Sequence, residues 1–379
     1  MRLIHLSDLH LGKYVNGFPM LEDQKYILKQ ILKVIDEEKP DAVLIAGDVY
    51  DRSVPPAEAV TLLDDFINQL AKRKLETFLI SGNHDSPERN AFASKLIEES
   101  GIHISPVFNG EVEPYIMNDE FGEVAIYMLP FIKPVIVSAI YPEEKDKIKT
   151  YTDAMRVVLE HLNMDKGRRN VLVTHQFITG AIRSDSEERS LGGADNIDAS
   201  VFDDFDYVAL GHIHRPQQIS DKIRYSGSPL KYSFSEINYD KSVTIVEIEE
   251  NGKCEIRIAP LIPLHDMKQI RGTYNELVNK EFYDGLNRED YYRIILTDEN
   301  DILDALARLR IIYPNVMGLE YDNARTKASA EVLENVNVDD LSPIEIFKTF
   351  YEKQNGREIE KEPCKYVTGL IEEIWEGKK

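Results

Sequence analysis

Thr77-Phe78-Leu79-Ile80-Ser81-Gly82-Asn83-His84-Asp85 is a short apolar run that stops in a polar, glycine-led turn. The run predicts a strand over Thr77–Ser81, and the turn puts Asn83, His84 and Asp85 at its carboxyl end. The same event recurs along the chain. A strand at Leu3–Leu6 runs into Asp8-Leu9-His10, and one at Ala42–Ala46 into Gly47-Asp48-Val49-Tyr50-Asp51. A strand at Val171–Thr174 meets His175, and one at Tyr207–Leu210 meets Gly211-His212-Ile213-His214. Further strands are expected at Val124–Leu129 and Val243–Ile248, and helices at Asp23–Glu38, Pro56–Lys72 and Glu88–Ser100. Strands separated by helices of this length predict an α/β layered fold. The strand-rich Ile223–Ile258 adds antiparallel pairing.

In layered α/β folds, ligands bind beyond the carboxyl ends of strands. The five strand ends offer a donor set of two Asp, one Asn and four His, all oxygen or nitrogen donors with no thiolate. Seven such ligands exceed what one ion takes. They suit two divalent ions about 3.5–4 Å apart that share a carboxylate. Mixed imidazole and carboxylate donors favour manganese, iron or zinc over calcium. The Asp-x-His and His-x-His spacings fit as well, because alternate residues of an extended segment share a face. Taken singly, each motif has an ordinary explanation: Asp48 could cap a helix, and Gly82–Asp85 could be only a turn. Their joint occurrence after five apolar strands points to a metal centre. His5, His103, His161 and His265 fall outside the pattern and read as core or ordinary polar residues.

Composition bounds the partners. The 379 residues include 45 Lys+Arg against 67 Asp+Glu, a formal net charge of −22. Nucleic-acid-binding proteins usually present a basic surface, so loose binding to any stretch of DNA is disfavoured. Net charge says little about one local site, however. No run of about 18 apolar residues predicts a membrane span, and the first residues do not read as a signal peptide. A cytoplasmic protein with no membrane partner is expected. Cys254 and Cys364 are the only cysteines, which excludes a disulfide framework or a structural zinc cluster.

The length predicts two or three domains. The pattern changes near Leu261-Ile262-Pro263-Leu264, giving a catalytic domain over 1–262 and a small α+β domain over 263–322. A polar linker is expected over 323–340 and a helical segment over 341–379. Within that segment, Ile344, Ile346, Phe347, Phe350 and Tyr351 recur at helical spacing in Ser342–Asn355. Tyr366, Val367, Leu370, Ile371, Ile374 and Trp375 do so in Glu362–Trp375. Such faces either pack on their own domain or dock into a groove of another chain.

The order Asp-x-His, Gly-Asp-x-x-Asp, Gly-Asn-His-Asp, Thr-His and Gly-His-x-His resembles that of the calcineurin-like metallophosphoesterases. Gly82–Arg89, Val173–Phe177, Gly192–Asp195, Phe205–Gln217 and Tyr225–Glu236 narrow the resemblance to DNA nucleases of that family that work with a coiled-coil ATPase. It implies a four-layer α/β architecture, a β-sandwich flanked by helices, with a small capping domain and a C-terminal helical pair that binds the ATPase. It implies one metal on Asp8, His10, Asp48 and His214 and a second on Asp48, Asn83, His175 and His212. Manganese is the foremost ion, with magnesium, iron or zinc as alternatives. It also implies that His84 faces the scissile phosphate and that Asp51 orients its imidazole.

The substrate implied is DNA: double-strand ends, single strands and hairpins. Arg52, Arg89 and Arg215 are the first candidates for phosphate contacts, with Arg183, Arg189 and Lys231 behind them. A homodimer within a heterotetramer is the assembly expected. The rival readings are a phosphoesterase acting on cyclic nucleotides or phosphoproteins, and a non-enzymatic DNA-repair scaffold.

Overall fold

The structure, a computed structural model, describes residues 1–187, 195–324 and 361–376, together with 326, 344, 347, 348, 351 and 359. The chain divides into two compact units: Met1–Gln269 with Glu289–Arg293, and Ile270–Arg288 with Ile294–Lys379.

The first unit is built on two six-stranded sheets. One runs Cys254–Leu261, Lys241–Ile248, Arg2–Leu6, Ala42–Ala46, Glu76–Ile80, Ile102–Ile104. Its last four strands are parallel, and the Lys241–Ile248 and Cys254–Leu261 hairpin pairs antiparallel beside them. The other runs Gln217–Ser220, Ile223–Tyr225, Tyr207–Gly211, Arg169–His175, Gly122–Leu129, Tyr115–Asp119. Its central strands are parallel, and both edges are antiparallel.

The parallel strands are buried on both faces, which explains their nearly continuous apolar sequence. Leu3, Leu44, Phe78 and Val246 from the first sheet meet Ile126, Val171, Val173 and Ala209 from the second in one core. On the far side of the second sheet, Tyr127, Leu172, Val208 and Leu210 pack with Val137, Ala154, Met155 and Val158 from helices Pro134–Ile140 and Tyr151–Glu160. The crossover helices Leu21–Glu38 and Ala57–Lys72 bury Ile27, Ile31, Ile35, Leu63, Phe66 and Leu70. The result is the layered sandwich expected, each fully buried aliphatic side chain contributing roughly 1.5–3 kcal/mol.

The single helix expected over Glu88–Ser100 is instead two short turns, Pro87–Asn90 and Ser94–Ile97, followed by a 3-10 turn. They are separated at Ala93, whose φ is 59°. Phe92 and Leu96 are 82 % and 80 % exposed, so no packing rewards continuity.

A three-stranded sheet follows, with strands Met267–Gly272, Tyr291–Leu296 and Val316–Tyr321 in that order. Short helices Tyr274–Leu277, Lys280–Tyr283 and Ala305–Leu309 accompany them. A capping box at Thr273 and Glu276 starts the first of these helices. The last helix is Lys361–Glu376, where Tyr366 is 70 % exposed. The expected linker over 323–340 and the helix over Ser342–Asn355 fall almost wholly outside the described residues.

Candidate metal centre

Five parallel strands from the two sheets end at the same place. Asp8 and His10 follow Arg2–Leu6, Asp48 follows Ala42–Ala46, and Asn83 and His84 follow Glu76–Ile80. His175 closes Arg169–His175, while His212 and His214 follow Tyr207–Gly211. A short buried strand thus supports each loop, and the polar side chains stand on a rigid base. Asp8, His10, Asp48 and His212 all have positive φ, at 52°, 45°, 49° and 99°. Few non-glycine residues adopt such backbone, and it concentrates at functional sites.

The expected ligands converge. Ligand atoms of Asp8, His10 and His214 lie within 4.8 Å of one another, as do those of Asp8, Asp48 and His175. A third group joins His10, Asp48 and His84. Asn83 Oδ1 lies 3.0 Å from His175 Nε2 and 2.8 Å from His212 Nδ1. Asp48 Oδ2 is 3.3 Å from His175 Nε2 and 3.8 Å from His10 Nε2. Asp48 therefore stands between the two expected ligand sets.

The proton arrangement fits divalent cations. His175 Nδ1 donates to the Ala46 carbonyl at 2.8 Å, which turns Nε2 to the site. Burial works against a charged His175, but Asp48 beside it pushes the imidazole up to about 9. Burial would raise Asp48, yet His175, His10 and His84 hold it well below the usual carboxylate range. Burial pushes His10 down to about 4, and burial with His175 pushes His212 well down. The cluster thus offers bare nitrogens, an ionised carboxylate and one imidazolium proton that a metal would displace. His10 Nε2 and His214 Nε2 face each other across 2.9 Å, a contact that a shared cation or proton makes favourable.

His84 sits at the rim. Its backbone N–H donates to Asp48 Oδ1 at 2.9 Å, and its Nδ1 lies 2.9 Å from the Asp51 backbone carbonyl. Asp51 therefore reaches His84 through its backbone, not its carboxylate. The carboxylate accepts from Lys13 Nζ at 2.6 Å and lies 3.6 Å from His10 Nδ1. Burial would raise Asp51, but His10 and Lys13 hold it well below the usual range.

Asp85, quoted in the motif without a role, is a brace. Its carboxylate accepts the backbone N–H groups of Val49, Tyr50 and Gly82 at 3.1, 3.0 and 2.9 Å. It ties the Asp48 loop to the Asn83 loop. Its signal was available: a buried carboxylate in a glycine turn has to find backbone donors.

The cationic candidates differ in availability. Arg52 is 75 % exposed at its side chain, 3.8 Å from Asp51 Oδ2, and Arg89 is exposed. Arg215 is half-buried, 5.3 Å from the Tyr239 ring centre. Arg183 pairs with Asp195 and Lys231 with Asp266. Arg189 lies outside the described residues. His5, His103, His161 and His265 stand apart from the three candidate ligand groups.

This constellation on a layered sandwich is that of a calcineurin-like phosphoesterase, and the model of that family matches residues 1–216. Residues 263–355 match a type 5 capsule protein repressor C-terminal domain. The SbcD subunit of the nuclease SbcCD from Staphylococcus epidermidis is 35 % identical over 98 % of this chain and 99 % of its own length. Its counterpart from Staphylococcus saprophyticus is 34 % identical over the same shares, 98 % and 99 %. The chain belongs to the SbcD family of calcineurin-like phosphoesterases. A solved dimetal phosphatase from Danio rerio shares 11 % identity, covering 65 % of this chain and 92 % of that one, with a TM-score of 0.40.

Proposed function

We propose that this chain is a metal-dependent DNA nuclease. It hydrolyses phosphodiester bonds at double-strand ends as an exonuclease and in single strands and hairpins as an endonuclease, serving DNA repair, recombination and replication. The observation that carries this reading is the convergence of Asp8, His10, Asp48, Asn83, His175, His212 and His214, in a chain related to nucleases along nearly its whole length.

Asp8, His10, Asp48 and His214 would hold one ion; Asp48, Asn83, His175 and His212 the other. Manganese is the ion proposed. When bound, two divalent ions neutralise the phosphodiester charge and clamp the attacking and leaving oxygens. The protein's own part is to place these ligands and to move a proton. The Asp51 carbonyl can only accept, so His84 Nδ1 carries a hydrogen and its ring is fixed from one side. In the imidazolium form Nε2 also carries a proton and is the atom that gives it to the leaving sugar oxygen, which leaves the neutral ring with its hydrogen on Nδ1. A proton donor so placed typically contributes ~10²–10⁴-fold. Exposed Arg52 and Arg89, with Arg215, supply phosphate contacts that the overall charge of −22 does not.

The partner proposed is an SbcC-type coiled-coil ATPase, held through the C-terminal helices in a heterotetramer. No helix among the described residues is long and apolar enough to cross a membrane, and a cytoplasmic location is proposed. Tyr366 and Leu370 on helix Lys361–Glu376 are 70 % and 40 % exposed, as a docking face requires.

The deciding experiment is digestion of linear duplex DNA with manganese, with and without chelator and the ATPase. Nucleotide release that requires metal supports the reading. Hydrolysis of a cyclic nucleotide or a phosphoprotein without any cleavage of DNA overturns it.

A further inference from the structure

Behind the two imidazoles whose Nε2 atoms meet at 2.9 Å lie two carboxylates, each already paired with a lysine. On the His214 side, Nδ1 is 2.7 Å from Ser186 Oγ. Ser186 in turn donates its hydroxyl hydrogen to Glu236 Oε1 at 2.6 Å. Glu236 also accepts from Lys241 Nζ at 2.5 Å and from the Tyr232 N–H at 3.2 Å. A carboxylate so occupied has only acceptor roles, and the Ser186 hydrogen is spent on it. Ser186 therefore accepts from His214 Nδ1–H, and His214 Nε2 is left bare.

On the other side, His10 Nδ1 is buried without a hydrogen-bond partner. Asp51 Oδ1 faces it at 3.6 Å, just beyond hydrogen-bond reach, and Lys13 Nζ is bound to that same oxygen at 2.6 Å. The nearest anion to this orphaned nitrogen can only accept, which again favours hydrogen on Nδ1 and a free Nε2.

We propose that Glu236, acting through Ser186, and Asp51 are positioning residues. They hold His214 and His10 with both Nε2 atoms unprotonated, so that the two imidazoles and Asp8 present one divalent-ion position. Lys241 Nζ and Lys13 Nζ anchor these carboxylates at 2.5 and 2.6 Å. The inference rests on the two-metal reading and deepens it.

Removing an outer partner of a metal-bound histidine typically costs 10–100-fold in metal affinity. The test is calorimetric titration of the full chain with manganese, with cobalt spectra as a second readout. Ser186→Ala should weaken one of two binding events by 10–100-fold and leave the other unchanged, and Ser186→Thr should restore it. Asp51→Asn should weaken the same event. Glu236→Gln leaves Lys241 unpaired in the interior and risks misfolding. Ser186→Ala keeps that pair intact, so it carries the test, with a thermal melt confirming the fold. Two wild-type affinities in Ser186→Ala would overturn the proposal. A wild-type chain that binds no divalent ion would overturn the two-metal reading itself, a different and separable failure.

Discussion

His84 Nδ1 lies 2.9 Å from the backbone carbonyl oxygen of Asp51, while the Asp51 carboxylate turns away to Lys13 and His10. One residue therefore serves two histidines through different atoms. The backbone contact survives any change of side chain. Cleavage by Asp51→Asn at saturating manganese should stay within a few-fold of wild type, although more metal is needed to reach it. Metal titrations of nuclease rate separate the two effects. A loss of rate that saturation does not recover would show that the carboxylate acts on His84 after all.

His84 itself should behave in the opposite way. It contributes its backbone N–H to Asp48, and alanine keeps that bond. His84→Ala is expected to retain both ions by elemental analysis and to lose about 10²–10⁴-fold in cleavage. A near wild-type rate would remove the imidazole from the reaction. Loss of metal would make His84 a ligand, as its place beside His10 and Asp48 allows.

At Gly211 the two sheets approach closely beside the site. A Cβ there would lie 1.8 Å from the Ala46 carbonyl oxygen and 2.6 Å from His175 Nδ1. The carbonyl is held in place as the acceptor for His175 Nδ1. Gly211→Ala cannot be relieved by a flexible side chain, so the backbone must shift. Overpacking of this kind typically costs about 1–3 kcal/mol, and here it also displaces a ligand. Urea denaturation together with metal content should show both losses; stability and metal at wild-type levels would contradict the close approach.

The positions of these residues were legible to different degrees. Asp8, Asp48, Asn83 and His175 announce themselves because each follows an apolar strand, and strand ends are fixed by period and turn chemistry. What a linear reading lacks is which atom of a residue is used. Asp51 is expected to orient the His84 imidazole with no atom specified, because sequence carries no distinction between a side-chain and a backbone acceptor. Ser186 and Glu236 were invisible for another reason: they are 50 residues apart and meet only behind His214. The positive φ of Asp8, His10 and Asp48 was equally hidden, since none is glycine. The broken helix after Pro87 failed on tertiary grounds, because Phe92 and Leu96 find nothing to pack against.

His5 gives a pH dependence that does not involve the metal ligands. It is fully buried, with Nδ1 2.9 Å from the Tyr207 hydroxyl and Nε2 3.2 Å from the Leu210 carbonyl. The carbonyl accepts from Nε2–H, and Nδ1 accepts from Tyr207. Burial, with Arg224 nearby, pushes His5 down from 6.5 to about 3. Between those values the unfolded chain takes up a proton that the folded chain refuses. The contribution is complete above pH 6.5 and is lost as pH falls, at roughly 1.4 kcal/mol per pH unit at most. Comparing urea unfolding at about pH 7.5 and about pH 5, His5→Gln should lose about 2 kcal/mol less than wild type over the interval. Equal losses would mean that His5 is protonated in the folded state.

Asp48 tests the centre as a whole. Its Oδ1 accepts the His84 N–H at 2.9 Å, and its Oδ2 faces both His175 Nε2 at 3.3 Å and His10 Nε2 at 3.8 Å. It belongs to two of the three groups able to hold an ion. A ligand of only one ion would leave the other in place when removed. A shared ligand removes charge from both positions at once, and the remaining imidazoles and Asp8 face each other without it. Asp48→Ala should therefore lose both ions by elemental analysis and all metal-dependent cleavage, whereas His212→Ala, which removes an imidazole 2.8 Å from Asn83 Oδ1 but keeps the backbone N–H that Asp8 accepts, should keep one. Retention of one ion by Asp48→Ala would assign Asp48 to a single metal and refute the bridge.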